Sequence, residues 1–310
     1  MGLNFILVDE DPDVITHTGL FHADDCMCIA LAALQVLPTD RPMRVARRNP
    51  TEAELDDPTI LVLDVGGRYE PKKLNYDHHQ RGYKEARWDT EFETPYAAVG
   101  LLWGWSKGFL EEYGTEVHAY LDRVIIEPID AADSGLWPTD APSLSFSSVI
   151  HRMNCVEDAQ KQKERFKEAV ELCHMVFNHA LKDAREYVEA KDKVAKALKE
   201  RGLKEVLVLP EYVPWQGHVH DADEKAEVLF VVHPSPRGGW AVWQVPEEKG
   251  SQKGRKPLPE DLAGLRGAEL AEAAGLEKSG EATFVHQARF CGGAETQKDA
   301  IALAVYAVAA

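Results

Sequence analysis

The sequence predicts an α/β protein: an N-terminal domain built on a doubly wound, mainly parallel sheet, followed by a smaller α+β C-terminal domain. Three observations carry this. Short, continuous apolar runs alternate with helical segments through the first half, the pattern of strands covered on both faces. A charged stretch without proline, residues 156–201, separates the two halves. Beyond it, strand-type runs crowd together around a Gly238-Gly239 hairpin signal. The expected division is residues 1–155, a connecting helical segment over 156–201, and residues 202–310, which suits a chain of 310 residues.

Residues 13–17 read as a short buried strand and 18–25 as a turn holding Gly19. Ile29, Ala30, Ala33 and Leu34 mark a helix over 23–36, ended by Pro38. Residues 43–46 and 60–63 are the next strands, the latter continuously apolar and therefore suited to a central position. The third strand ends at Asp64-Val65-Gly66-Gly67, and residues 74–76 lead into Asp77-His78-His79. Pro95 opens a Trp- and Leu-rich helix over 95–112, offered as a homodimer surface. A second helix over 116–126 runs into a turn, 128–135, that carries Asp130 and Asp133. The connecting segment has one apolar stripe, Phe166, Val170, Cys173, Phe177 and Leu181, and a solvated charged face. In the last part, residues 206–209, 226–232, 240–245 and 283–286 read as strands, with helices at Gly267–Ala274 and 294–307.

The formal net charge of −17 opposes broad, non-specific binding to nucleic-acid duplexes. A short strand or a phosphorylated small molecule remains compatible if a local cationic site, or divalent metal, supplies positive charge. No apolar run approaches the roughly 20 residues needed to span a bilayer, and the first ten residues lack the basic n-region of a signal peptide. The cytoplasm is the expected location, with no membrane partner. Five cysteines without a Cys-x-x-Cys pair indicate reduced thiols rather than a disulfide framework or a structural zinc site.

Acids and imidazoles gather at the expected strand ends: His17, His22, Asp24 and Asp25; Asp64; Asp77, His78 and His79; Asp130 and Asp133. Adjacent side chains on a strand point to opposite faces, so the chain must leave the strand near Asp77 for both imidazoles to converge. A parallel sheet brings such ends to one edge. Mixed Asp and His donors without thiolate favour Mn²⁺, with Co²⁺, Fe²⁺, Zn²⁺ and Mg²⁺ as alternatives. So many carboxylates stay ionised together only if cations neutralise them. Two metals roughly 3.5–4 Å apart would suit in-line attack of hydroxide on phosphorus.

These motifs resemble the DHH phosphoesterase superfamily, and within it the melanocyte-proliferating-gene exonuclease-like branch. The resembling segments are residues 16–25, 64–67, 76–82 and 129–135, then Phe284-Val285-His286 and residues 290–296. The resemblance implies one metal on His17, His22 and Asp64, and a second on Asp24, Asp64, His78 and Asp133, with Asp64 bridging. It implies that Asp77 orients an imidazole and that His79 faces the scissile phosphate. Asp25 stands where the family pattern has Glu, which leaves its role open. Asp130 and Asp133 are both of ligand type; Asp133 is favoured, with Asp130 in support. The implied activity is phosphodiester hydrolysis, best matched to 3′-to-5′ trimming of RNA or short oligonucleotides, with the C-terminal domain recognising substrate. His286, Arg289, Gly292 and Gly293 are the substrate-contact candidates there, the glycines read as a backbone approach to phosphate before a helix.

Arg81 is placed to steady a phosphate oxygen, while Arg47 and Arg48 have only their position after a strand to recommend them. His218-Val219-His220-Asp221 has metal-like spacing but reads as incidental. Trp103 and Trp105 are expected in the core. The alternatives to an exonuclease are a hydrolase of nucleoside bisphosphates or pyrophosphate, and a non-enzymic metal or nucleotide binder.

Overall fold

The computed structural model describes residues 3–35, 41–87, 93–105, 107–136 and 144–310. The chain is α/β, with both sheets mixed, and forms two compact units, Met1–Ala184 and Arg185–Ala310. The first is built on strands β1 (Phe5–Leu7), β2 (Val14–Thr16), β3 (Met43–Arg47), β4 (Leu61–Leu63), β5 (Tyr69–Glu70) and β6 (Asn75–Tyr76). Their order is β1-β3-β2-β4-β6-β5. Every neighbouring pair is parallel except β5 with β6. The apolar runs of β2 and β4 occupy the middle and are wholly buried, as their lack of alternation requires. Strand β1 is absent from the sequence reading; it is only three residues long and half exposed, so its apolar signal is weak.

Helix α1 (Ala23–Gln35) follows β2, and α2 (Glu52–Asp56) lies between β3 and β4. Leu55 of α2 packs with Ile15, Ala46 and Val62 on the sheet. Helices α3 (Ala98–Trp105) and α4 (Lys107–Tyr113) stand where one helix over 95–112 was expected. Trp103 is buried, but Trp105 is 49% exposed, which corrects its assignment to the core. Helix α5 (Thr115–Leu121) continues through a π-helical turn, Asp122–Ile126, into α6 (Glu127–Asp133). Residues 128–133 are therefore helical, not a turn. Pro128 sits in the first turn of α6, where its missing N–H is tolerated. The preceding register change, with the Glu127 N–H donating to the Asp122 carbonyl, leads into it. Helix α7 (Phe146–Arg152) starts at Ser145, whose hydroxyl accepts from the Ser148 N–H. Helix α1 packs against α3, α6 and α7. The expected helix end at Val36 and Pro38 lies outside the described residues.

Helix α8 (Ala159–Glu200) is one uninterrupted element of 42 residues that supplies residues to both units. The second unit has β7 (Val206–Val208), α9 (Gln216–Ala222), β8 (Phe230–Pro234), β9 (Trp240–Gln244), α10 (Gly267–Ala274), β10 (Phe284–Val285), β11 (Cys291–Ala294) and α11 (Gln297–Ala309). The sheet order is β10-β11-β9-β8-β7. Only β7 with β8 is parallel. Ala300, Leu303, Ala304 and Ala307 of α11 share a core with Phe230, Val232 and Val242. Val194 and Leu198 of α8 share another with Leu207, Val231 and Val245.

Gly238 and Gly239 form the expected hairpin turn with φ of +97° and +66°. Gly292 and Gly293, by contrast, do not precede a helix directly. They are buried inside β11, and α11 begins at Gln297 behind the Thr296 cap. A Cβ at Gly292 would come within 2.8 Å of the Phe284 carbonyl oxygen, and one at Gly293 within 2.8 Å of that of Ala282. Close strand packing explains the glycine pair. All five cysteines are free.

Candidate metal centre

Three chain exits from the parallel strands converge in the first unit. The chain leaves β4 at Asp64 with a φ of +56°, a left-handed conformation that Asp tolerates better than most residues, and Gly66 and Gly67 continue the turn. The Gly67 N–H donates to Asp77 Oδ2 (2.5 Å). Strand β6 stops at Tyr76, so His78 and His79 escape the alternation of a strand and lie with ring centroids 4.2 Å apart. After β2, the loop from His17 delivers His22, then Asp24 and Asp25 in the first turn of α1. Helix α6 presents Asp133.

The resulting cluster is tight. His17 Nε2 lies 3.4 Å from both Asp64 Oδ2 and Asp25 Oδ2. His78 Nε2 lies 3.3 Å from Asp64 Oδ1 and 3.2 Å from Asp133 Oδ2. His22 Nδ1 is 4.0 Å from Asp133 Oδ1. Three sets of donor atoms are close enough to share an ion: His17, His22 and Asp64; Asp24, His78 and Asp133; and Asp64, His78 and His79. His17 Nε2, His78 Nε2, Asp64 Oδ1 and Asp25 Oδ2 are buried without a hydrogen bond. Buried polar atoms are normally satisfied, so four orphans aimed into one cluster fit a divalent cation. The oxygen and imidazole donor set, without thiolate, fits Mn²⁺ and similar ions.

Charge in the cluster agrees with that fit. Burial alone lowers an imidazole, yet Asp64 and Asp25 raise His17 to about 9. His78 is likewise opposed by burial but raised to about 10 by Asp133 and Asp64. Burial raises Asp64, but the two imidazoles overcome it and hold the carboxyl below its ordinary range. Burial pushes Asp24 well up, and Asp64 and Asp133 add to the effect. Asp25 is raised by burial, with His17 opposing. Protons on imidazoles thus balance carboxylates where a cation would otherwise do so.

The supporting contacts explain how the donors hold position. Asp24 accepts from the Val99 N–H (2.7 Å) and the Ala98 N–H (3.2 Å), joining α1 to the start of α3 and leaving lone pairs on both oxygens. Asp25 accepts from the His22 N–H at 2.7 Å. Asp77 Oδ1 lies 2.8 Å from His79 Nδ1 and accepts from the His79 N–H, fixing a ring that is otherwise exposed. Asp130 is fully buried and its hydrogen bonds go elsewhere: it accepts from Arg87, from the Ala97 N–H (3.0 Å) and from the Gly100 N–H (3.1 Å). A Cβ on Gly100 would overlap the Asp130 carboxylate. Burial pushes Asp130 up to about 7 against the opposing Arg87. Arg87 also grips Asp122. Of the two aspartates on α6, Asp133 reaches the cluster and Asp130 anchors the helix.

Among the other sequence candidates, Arg81 is exposed and has no ion pair among the described residues. Arg47 lies over the Phe166 ring, 4.4 Å from its centroid, and donates to the Gly19 carbonyl. Arg48 forks onto Glu54. His218 is buried with Nε2 2.7 Å from the Tyr187 carbonyl oxygen, a structural role. In the second unit His286 is exposed beside Phe290, with Nδ1 accepting from the Ala288 N–H. Arg289 closes the β10–β11 turn with a φ of +63°.

Two kinds of residue escaped the sequence reading. Asn154 clamps the N–H and carbonyl of Phe21 (3.0 and 2.9 Å), and Gln162 donates to Asn154 and to the Gly19 carbonyl. Together they fix the loop that carries His22. His151 on α7 faces His22, ring centroids 6.4 Å apart. No local pattern marks any of them.

Comparison with known proteins gives a consistent answer. Residues 13–308 match the family model MYG1_exonuc, described as an uncharacterised protein family (UPF0160). The chain is 29% identical over 330 residues to the MYG1 exonuclease of Rattus norvegicus, covering 94% of this chain and 84% of that one. It is 29% identical over 328 residues to the MYG1 exonuclease of Homo sapiens (94% and 85%). A MYG1 protein of Saccharomyces cerevisiae is 27% identical over 332 residues, covering 96% and 95%. No solved structure matches the chain.

Proposed function

We propose, from the premise that this chain belongs to the MYG1 exonuclease family, that it is a divalent-metal-dependent phosphodiesterase trimming RNA or short oligonucleotides from the 3′ end. The observation that carries this reading is the set of four buried, unbonded donor atoms in one cluster of carboxylates and imidazoles. His17, His22 and Asp64 would hold one ion, and Asp24, Asp64, His78 and Asp133 a second, Mn²⁺ being the preferred metal; Asp25 and Asp130 are supporting acids. Such ions, when bound, polarise a phosphoryl oxygen and lower the pKa of coordinated water.

The chain's own groups do the rest. Asp77 holds His79 toward the substrate, and Arg81 is free to pair with a phosphate oxygen. Arg87 and Asp130 lock α6 so that Asp133 keeps its place. In this reading residues 1–155 are catalytic, 156–201 connect, and 202–310 recognise substrate through His286 and Arg289, while Gly292 and Gly293, the other substrate-contact candidates of the sequence, serve the packing of β11. The doubly wound DHH arrangement, the cytoplasmic location and a homodimer through the Trp-rich stretch 95–112 belong to the same proposal. No described helix is long and apolar enough to cross a membrane.

The net charge of −17 favours a second reading, a compact substrate such as a nucleoside bisphosphate or pyrophosphate. The deciding experiment incubates metal-free protein with 3′- and 5′-labelled short RNA and, separately, with a nucleoside bisphosphate, with and without Mn²⁺. Mn²⁺-dependent shortening from the 3′ end, abolished by Asp64→Asn, is the expected result. Phosphate release from the bisphosphate alone would transfer the function to the second reading, and unchanged turnover in Asp64→Asn would reject the mechanism.

A further inference from the structure

Beside the metal centre, between the start of α1, α6 and α7, lies a cavity of about 290 Å³. Its wall is shared with the cluster through His22, Asp24 and Asp133, so whatever fills it adjoins a phosphate held there. Ile129 and Ala132 add an apolar surface. Ser147 and His151, four residues apart and therefore on one face of α7, also line the cavity. Neither side chain has a hydrogen-bond partner among the described residues. Hydroxyl and neutral imidazole each offer a donor and an acceptor.

We propose that this cavity receives the terminal nucleoside of the substrate, with Ser147 and His151 hydrogen-bonding its sugar or base. The inference rests on the phosphodiesterase reading and deepens it. The volume, about 290 Å³, lies just below the roughly 300–1,000 Å³ range of small-molecule pockets, room for one nucleoside rather than a run of strand. An apolar wall suits the face of a base, and two uncommitted polar groups suit its edge or the sugar hydroxyls. A pocket for one nucleoside next to the reacting phosphate predicts that single nucleotides leave from an end. His151 is thus a substrate-binding residue, and its loss raises KM more than it lowers kcat.

The test is titration calorimetry on the full, Mn²⁺-loaded chain with adenosine 5′-monophosphate and, separately, inorganic phosphate. The nucleotide is expected to bind at least about tenfold more tightly than phosphate, the gain from a few hydrogen bonds and an apolar contact. His151→Ala should weaken the nucleotide about five- to tenfold and leave phosphate affinity unchanged. Ala132→Leu, which fills the cavity, should weaken it further with the same selectivity. Equal binding of nucleotide and phosphate by the unmodified protein, or variants that weaken both ligands or neither, would overturn the pocket while leaving phosphodiester hydrolysis standing. Binding of neither ligand by the Mn²⁺-loaded protein would overturn both.

Discussion

Cation binding at the candidate centre must be coupled to proton release, and the structure sets its size. Without a cation, burial is outweighed by Asp64, Asp25 and Asp133, so that His17 and His78 titrate at about 9 and about 10. Both rings are protonated at pH 7, and a ligating nitrogen must first lose its proton. At 1.36 kcal/mol per unit, deprotonation at pH 7 costs about 3 kcal/mol at His17 and about 4 kcal/mol at His78. These costs shrink as pH rises, so apparent affinity should climb by up to about a hundredfold per unit between pH 7 and 9. Stability of the cation-free protein runs the other way. Raised folded-state values stabilise it fully below the unfolded value of 6.5, and that contribution is lost as pH rises through 9 and 10. Mn²⁺ titrations under nitrogen at pH 6.5, 7.5 and 8.5, in buffers of different ionisation enthalpy, read affinity and proton count together. About two protons should leave the imidazoles at the lower pH values, with any proton held by the upward-shifted Asp24 carboxyl leaving in addition. A flat affinity with no proton release would refute the reasoning.

Two further perturbations probe how the site is held. Arg87→Met removes the guanidinium from the fully buried Asp130 and should cost about 3–5 kcal/mol in urea unfolding, more at pH 8.5 than at 6.5, because Asp130 can take a proton at lower pH; a loss under about 1 kcal/mol would show that the pair does not anchor α6. Glu54→Gln tests the fork from Arg48, which lowers the Glu54 carboxyl to about 2 and, discounted for solvent screening, is worth about 1–2 kcal/mol. That contribution is present above the unfolded value of 4.5 and is lost as pH falls toward 2, so the stability gap between variant and parent should narrow from pH 7 to pH 3.5; a constant gap would exclude the ion pair as its source.

The donors of the site are legible in the sequence because each sits in a short local signal. Asp64 is followed by two glycines and Asp77-His78-His79 comes after a strand too short to continue, so the turns that aim these side chains are written beside them. The long helix α8 is legible for the same reason: its apolar stripe repeats locally along 42 residues. What could not be read is whatever depends on partners far along the chain. Pro128 and Gly135 look like breakers, yet Arg87, Ala97 and Gly100, 30 to 43 residues away, bond Asp130 and draw the segment into α6. Strand β1 exists only through its pairing with β3, and Gly292-Gly293 belong to a strand because neighbouring strands press against them.

The loop bearing His22 makes the point most sharply. It is fixed by Asn154, 133 residues away, which acts on the Phe21 backbone rather than on any side chain with a chemical signature. A carboxylate or imidazole announces its chemistry by type, whereas an amide that reads backbone groups does not. The sequence therefore names the groups able to bind a cation, and the fold decides their distances through residues such as Asn154, Gln162, Arg87 and Gly100. Substitutions there should misplace the donors while leaving every one of them present, which is why donor composition alone is a poor guide to whether such a centre is competent.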